Sequence, residues 1–122
     1  MPIVKKNALE LKSFDEKKFN PVGIYQSDQI KVIVAYFKPL QFIPVHTPGV
    51  DVVFFIIEGQ AEIVAGDQRM TVKENDLVIV PKGTKRGIKA LTELTVLHLV
   101  QPPPTEADHR EVREKISLGK FE

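Results

Sequence analysis

The chain has 122 residues, which is enough for one domain with a single hydrophobic core and too few for two. Hydrophobic residues make up 43% and charged residues 27%, and a net charge of +1 creates no field that would attract nucleic acid or an anionic membrane. The lack of cysteine excludes disulfides, thiolate metal sites and cysteine nucleophiles. The N-terminal stretch "MPIVKKNALELKSFDEKK" has no apolar run typical of a signal peptide or a membrane span, so we expect a cytoplasmic protein.

Short apolar runs rich in Val, Ile and Phe recur along the chain at intervals of about ten residues. Turn residues separate them: Pro39 ends one run, "EGQ" forms a turn, and Gly66-Asp67 is a hairpin signal. This pattern predicts an all-β sandwich or closed barrel. The predicted strands are Val22–Gln26, Ile30–Lys38, Gln41–His46, Val50–Ile57, Ala61–Ala65, Arg69–Val72, Leu77–Val80, Thr84–Ala90 and Leu94–Gln101.

Two of the predicted strands, "DVVFFII" and "LTVLHLV", are apolar on both faces. A strand of a sheet with one solvated face alternates apolar and polar residues, so these two strands are expected to be covered on both sides. One face would line the barrel interior, and the other needs a second sheet or a second subunit. We therefore expect a homodimer.

The segment "TEADHREVREKIS" after the proline run predicts a helix. Thr105 is a plausible N-cap, with Asp108 three residues later as its capping-box partner. Val112 and Ile116 form only a narrow apolar stripe, so the helix is expected to pack lightly against the barrel or a partner. The expected ion pairs, at i,i+4 spacing, are Glu106–Arg110 and Glu111–Lys115.

The strand order and turn residues resemble the small single-domain, RmlC-like cupins, whose two motifs carry the metal ligands. The first motif, a glycine, a His-x-His pair, a glutamate and a closing glycine, would run from Leu40 to Gly59. His46 matches the first histidine, whereas Pro48 takes the place of the second and Val52 the place of the glutamate. Leu40 stands at the first glycine, and Gly59 matches the last.

The second cupin motif would run from Asn75, at its glycine position, to Ala90, at its asparagine position. Pro81 and Gly83 match its Pro-x-Gly, but Arg86 stands where the motif has its histidine. The matching residues shape turns, whereas the replaced residues are metal ligands. The resemblance therefore implies the cupin-type double-stranded β-helix, a jelly-roll barrel over residues 1–104 followed by a short C-terminal α-helix and tail over residues 105–122.

The family's metal chemistry is poorly supported by these replacements. Cupins hold Fe, Mn, Ni or Zn with three histidines and a carboxylate, and of these four positions only His46 keeps a ligand. Pro48 and Val52 have no side-chain donor, and the permanent charge of Arg86 repels a cation. Asp51 precedes the glutamate position and points to the other face in a regular strand. We expect no cofactor; if a divalent transition metal binds, His46 would be its ligand.

Strand alternation predicts an apolar cup that contains one histidine and one arginine. A guanidinium in such a cup needs an anionic partner, so a small anionic or polar molecule near Arg86 and His46 is the sharpest hypothesis. The partner of Arg86 could instead be Glu62 or Asp51, or Arg86 could reach the rim. His46 could instead be a hydrogen-bonded residue of the core or rim, or it could serve as a general base. The residues expected to face inward are His46, Pro48, Val52, Phe54, Ile56, Arg86 and Ile88.

The two remaining histidines differ in context. His98 shares a strand face with Leu94, Val96 and Val100, so it lies either in the cup, where it could help His46 to bind a ligand, or on the outer face. His109, on the polar helix, is expected at the surface. The candidate ligand-binding residues are His46, Arg86, Phe54, Ile56 and His98; no catalytic residue is assigned.

Three functional hypotheses follow. The chain is a metal-free binding protein for a small anion, a metal-dependent cupin enzyme of dioxygenase or isomerase type with atypical ligands, or a structural or interaction protein whose barrel is filled by its own side chains. A cavity or a filled barrel would separate the third from the first, and metal analysis would test the second.

Overall fold

The computed structural model describes residues 3–122 and confirms the predicted all-β architecture with one C-terminal helix. All nine predicted strands are present, although the first begins two residues earlier than expected and the eighth begins at Arg86 instead of Thr84. The elements are β1 (Asn20–Gln26), β2 (Lys31–Phe37), β3 (Phe42–His46), β4 (Asp51–Glu58), β5 (Ala61–Ala65), β6 (Gln68–Val72), β7 (Leu77–Val80), β8 (Arg86–Ala90), β9 (Leu94–Gln101) and α1 (Glu106–Ser117).

The strands form two antiparallel sheets packed face to face. One sheet has five strands in the order β1-β2-β9-β4-β7, and the other has four in the order β3-β8-β5-β6. The core between them is built from the inward-facing residues of each strand, and Ile56, Ile63, Ile88 and Val96 are fully buried in it. Alternation with period two therefore produces the core that the sequence pattern predicts.

The five-stranded sheet has a second apolar face, which points away from the core. Two rows of directly paired residues cross all five strands on this side, and both rows consist entirely of apolar or aromatic side chains. The rows, called here the outer apolar face, are Ile79, Val53, Leu99, Val32 and Tyr25, and Leu77, Phe55, Leu97, Val34 and Val22. Leu77 and Ile79 at the β7 edge are 65% and 69% exposed. The homodimer that would cover this face stays a prediction.

The helix α1 begins as predicted. Thr105 Oγ1 accepts a hydrogen bond from the Asp108 N–H, and the Asp108 carboxylate accepts one from the Thr105 N–H, which completes the capping box. Of the expected ion pairs, Glu111–Lys115 is present at 3.7 Å. The predicted Glu106–Arg110 pair is wrong, because Glu106 pairs with Arg113. Within residues 3–122, no helix is long and apolar enough to cross a membrane.

Candidate functional site

A cavity of about 190 Å³, called here the cup, lies between the two sheets and beneath α1. Most of its wall is apolar and comes from the inner faces of β2, β4 and β9, with Ile33, Val52, Phe54 and Val100 as examples. Polar groups enter this wall at few positions. They are Arg86, His46 and His98 on the strands, Lys31 at the start of β2, and Asp108 and His109 on α1.

The local sequence explains how Arg86 and His46 come together in the wall. Arg86 begins β8 and is followed by Gly87, where an added Cβ would lie 2.8 Å from the backbone nitrogen of Val45. Because Gly87 has no side chain, β3 can approach β8 closely. His46, the last residue of β3, pairs directly with Arg86 across the two strands. Both side chains line the cup.

The guanidinium of Arg86 is buried, since the residue is only 3% exposed. Its Nε donates to the carbonyl of Thr84 at 3.2 Å, and its Nη2 donates to the carbonyl of Pro81 at 2.7 Å. Gly83, with φ of 77°, turns the backbone between these two carbonyls. The third nitrogen, Nη1, is buried and has no hydrogen-bond partner among residues 3–122. Arg86 therefore does not reach the solvent, and part of its hydrogen-bonding capacity is unused.

Neither of the two carboxylates considered from the sequence forms an ion pair with Arg86. Glu62 pairs with Arg69 at 3.2 Å, and the exposed Asp51 accepts a hydrogen bond from the backbone N–H of Lys82 at 2.8 Å. Burial lowers the pKa of Arg86, and the more distant charges of Asp51 and Asp108 partly oppose that shift. The guanidinium therefore depends on backbone carbonyls and lacks a bonded counter-ion within the described chain.

His98 lies on the inner face of β9, which resolves the choice that the sequence left open. The residue is 6% exposed, lines the cup, and packs edge-on against Phe54 with ring centroids 4.8 Å apart. Burial lowers the pKa of His98 to about 4, so the ring is neutral at pH 7. Its Nε2 is buried and has no hydrogen-bond partner among the described residues. It is the second unpartnered polar atom on the residues that line the cup.

His46 is half-buried and has a fixed tautomer. Its Nδ1 lies 2.8 Å from the carbonyl oxygen of Pro44, and because a carbonyl only accepts, Nδ1 carries the hydrogen. Burial lowers the pKa of His46, with a smaller contribution from Arg86, and the bond to Pro44 and the charges of Glu111 and Asp108 oppose this shift. The ring is therefore neutral at pH 7, and Nε2 holds a lone pair.

Two expectations about the site are corrected by the structure. Ile56, predicted to bind a ligand, is fully buried in the core cluster and does not line the cup; Ile88 is placed in the same way. Both lie on the inner face of their strands, as predicted, but deeper in the barrel than the cup. His109, expected at the surface, is half-buried and lines the cup with Asp108 and Val112. The narrow apolar stripe of Val112 and Ile116 was the sequence signal that this side of α1 meets the barrel.

The donor set in the cup does not fit the metal of the cupin family. Within residues 3–122, no group of three or more His, Cys, Asp or Glu side chains is placed to hold an ion. At the four ligand positions of the motifs, His46 is the only donor, and Arg86 brings a fixed positive charge to the site. We therefore propose no metal-dependent reaction at this site.

Comparisons with known proteins agree with this architecture. The family described as "Cupin domain" matches residues 34–100. An RmlC-like cupin protein from Desulfovibrio desulfuricans is 28% identical, with a TM-score of 0.76 over 84% of this chain and 99% of that one. TT1209 from Thermus thermophilus is 19% identical, with a TM-score of 0.78 over 82% and 98% of the two chains. An RmlC-like cupin from Shewanella frigidimarina is 14% identical, with a TM-score of 0.70 over 77% and 86%. No curated protein matches the chain.

Proposed function

This chain belongs to the cupin family, and we propose that its cup binds a small anionic organic molecule without a metal. One observation carries the proposal. Two buried polar atoms without a partner among the described residues, Arg86 Nη1 and His98 Nε2, belong to residues that line the same cavity. A buried polar group left unpaired costs about 1–3 kcal/mol, and more if it is charged, so a ligand atom that pairs with it recovers that energy.

The charge of the site favours an anion over a neutral ligand. Arg86 has no carboxylate of the described chain bonded to it, and a hydrogen bond between a guanidinium and an anion is roughly twice as strong as a neutral one. Arg86 and Lys31 are positive and Asp108 is negative, so the lining has a net charge of +1 when its histidines are counted as neutral. A monoanion such as a carboxylate would balance this charge.

The size and polarity of the cup favour a compact ligand with an apolar body. Its volume of about 190 Å³ exceeds that of an apolar cavity of about 150 Å³ that accommodates benzene. The apolar wall of Ile33, Val52, Phe54 and Val100 would enclose the body of such a molecule while Arg86 holds its charged end. A barrel filled by its own side chains, the third hypothesis, would lack this cavity.

Isothermal titration calorimetry with two compact carboxylates, benzoate and 4-methylpentanoate, tests the proposal. We expect binding to the wild-type protein and an affinity at least about tenfold lower in Arg86→Met, because methionine keeps much of the length and removes the charge. Arg69→Met is the matched control, because it removes an exposed cation on β6, the edge strand of the four-stranded sheet, outside the cup. It should leave the affinity unchanged. Equal affinities in the wild type and Arg86→Met, or no binding of either acid, would overturn the proposal.

Metal analysis of the purified protein tests the metal-free part separately. A stoichiometric transition metal that disappears in His46→Ala would replace this proposal with the enzyme hypothesis. We expect no stoichiometric metal in either protein, and no effect of a chelator on carboxylate binding.

A further inference from the structure

His46 presents an acceptor beside the guanidinium of Arg86. Its Nδ1 donates a hydrogen bond to the Pro44 carbonyl at 2.8 Å. The ring nitrogen that can contact a ligand is therefore Nε2, which has a lone pair. No described residue donates a hydrogen bond to that nitrogen. The bond to Pro44 also fixes the orientation of the ring, so the acceptor is held in place before a ligand arrives.

The pairing of β3 with β8 brings the two residues together. His46 and Arg86 are direct cross-strand partners, and the register of β3 shifts between Ile43 and His46. Both side chains line the same cavity. The cup therefore offers a permanent cation and a hydrogen-bond acceptor next to each other, a combination that a plain carboxylate satisfies only in part.

We propose that the cup selects an anion that carries a hydrogen-bond donor next to its charged group, with hydroxycarboxylic acids as the chemical class. The carboxylate accepts from Arg86 Nη1, and the hydroxyl group donates to His46 Nε2. The inference rests on the proposed function, because it assigns a second polar contact to the same ligand. It makes His46 a specificity-determining residue and gives it neither a metal nor a catalytic task.

The expected discrimination is moderate. A site that hydrogen-bonds a substrate hydroxyl group rejects the analogue without it, because the analogue leaves a polar atom of the site unpaired. His46 is half-buried, so water can partly replace the missing hydroxyl group. We expect the hydroxy acid to bind about tenfold more tightly than its analogue.

The test compares 2-hydroxy-4-methylpentanoate with 4-methylpentanoate, which differ only in the hydroxyl group. Titration calorimetry of the wild type should give an affinity ratio of about ten in favour of the hydroxy acid. In His46→Phe, which keeps a ring and removes the acceptor, the ratio should fall to about one. In Arg86→Met both affinities should fall while the hydroxy acid keeps its advantage.

The outcomes separate the two proposals. If neither acid binds the wild type, or if Arg86→Met binds both acids normally, the proposed function fails. If both acids bind through Arg86 with equal affinity, or if His46→Phe keeps the wild-type ratio, only the role of His46 fails. If His46→Phe does not fold, the ¹⁵N resonances of the wild-type His46 ring test whether Nε2 contacts the hydroxyl group. The Nε2 resonance must shift with the hydroxy acid and stay in place with its analogue.

Discussion

The two faces of the five-stranded sheet are both mainly apolar, but their polar side chains differ. The inner face has the imidazole of His98, whereas the outer side has the hydroxyl groups of Tyr25, Tyr36 and Thr95. On the inner face, His98 follows Val96 and precedes Val100 at alternate positions of β9, and its Nε2 lacks a partner among the described residues. On the outer apolar face, the corresponding alternate residues Leu97 and Leu99 are uniformly apolar. The inner face can therefore recognise a polar group, whereas the outer apolar face offers mainly apolar contact.

The difference between the faces explains why they suit different occupants. A cavity with unpartnered polar atoms is complemented by a small molecule that supplies the missing partners. An apolar surface that is exposed at Leu77 and Ile79 is complemented by another apolar surface, and an identical one is available on a second copy of the chain. Substitutions on the outer face, on the inner face and in the backbone that connects the two sheets can each test this difference.

The largest expected effect is that of Ile79→Asp on the outer apolar face. Ile79 is 69% exposed at the β7 edge, so the substitution is tolerated in a monomer but places an unpaired carboxylate in a symmetric interface. Each buried carboxylate would weaken association by about 3–5 kcal/mol. Size-exclusion chromatography with light scattering should show twice the chain mass of 13.7 kDa for the wild type and the chain mass for Ile79→Asp.

The control for this prediction is Leu91→Asp, which changes an apolar residue that is 42% exposed in the turn between β8 and β9. It should leave the wild-type mass unchanged. A wild-type protein that elutes as a monomer at every concentration would contradict the homodimer, and a dimer that survives in Ile79→Asp would place the interface elsewhere.

The next effect is the pH dependence that His98 gives to the inner face. Burial lowers its folded-state pKa to about 4, whereas the unfolded chain has the ordinary value of 6.5. Above pH 6.5 the ring is neutral in both states and the stabilising contribution is complete. As the pH falls towards 4 the unfolded state takes up the proton first, and about 3 kcal/mol of the free energy of unfolding is lost.

Urea unfolding of the wild type and His98→Leu at about pH 7.5 and about pH 4.5 measures this loss. We expect the variant to lose about 2–3 kcal/mol less than the wild type between the two conditions. The lowered pKa of His46 contributes to the loss of stability in both proteins. The difference between the two losses therefore reports the contribution of His98. Parallel losses in the two proteins would show that His98 is not buried as a neutral ring.

The sequence predicts the elements and the faces well because both depend on local chemistry. Alternation with period two places Phe54 and His98 on one face, and Pro81 and Gly83 mark the turn before Arg86. The capping box of α1 is also local, since Thr105 and Asp108 are three residues apart. These features need no knowledge of distant parts of the chain.

The parts of the site that sequence reasoning missed depend on depth and on the docking of α1. Alternation indicates the face of Ile56 but gives no position along the barrel axis, and Ile56 lies below the cup. His109 reaches the cup because α1 lies across its opening, where Lys115 Nζ donates to the carbonyl of Val45. That contact joins residues 70 positions apart, and no local pattern encodes it.

The smallest expected effect concerns the turn at Leu40, which connects β2 of one sheet to β3 of the other. Leu40 occupies the glycine position of the first cupin motif and has a φ of 73°, a left-handed conformation that costs a residue with a side chain about 1–2 kcal/mol. Its N–H donates to the carbonyl of Ala90 at 2.8 Å, so the backbone keeps this conformation. Leu40→Gly should raise the free energy of unfolding by about 0.5–1 kcal/mol, because glycine relieves the strain but loses more entropy on folding.

Asn75→Gly is the matched variant for Leu40→Gly, since Asn75 has a φ of 75° at the glycine position of the second motif. Asparagine tolerates the left-handed region better than leucine, so its replacement should gain less in the same urea titration. Both variants should keep the wild-type oligomeric mass and carboxylate affinity, because neither residue belongs to the cup or to the outer apolar face. If Leu40→Gly instead weakened carboxylate binding, the left-handed turn at Leu40 would help to position the residues of the cup. The connection between the two sheets would then contribute to ligand binding as well as to stability.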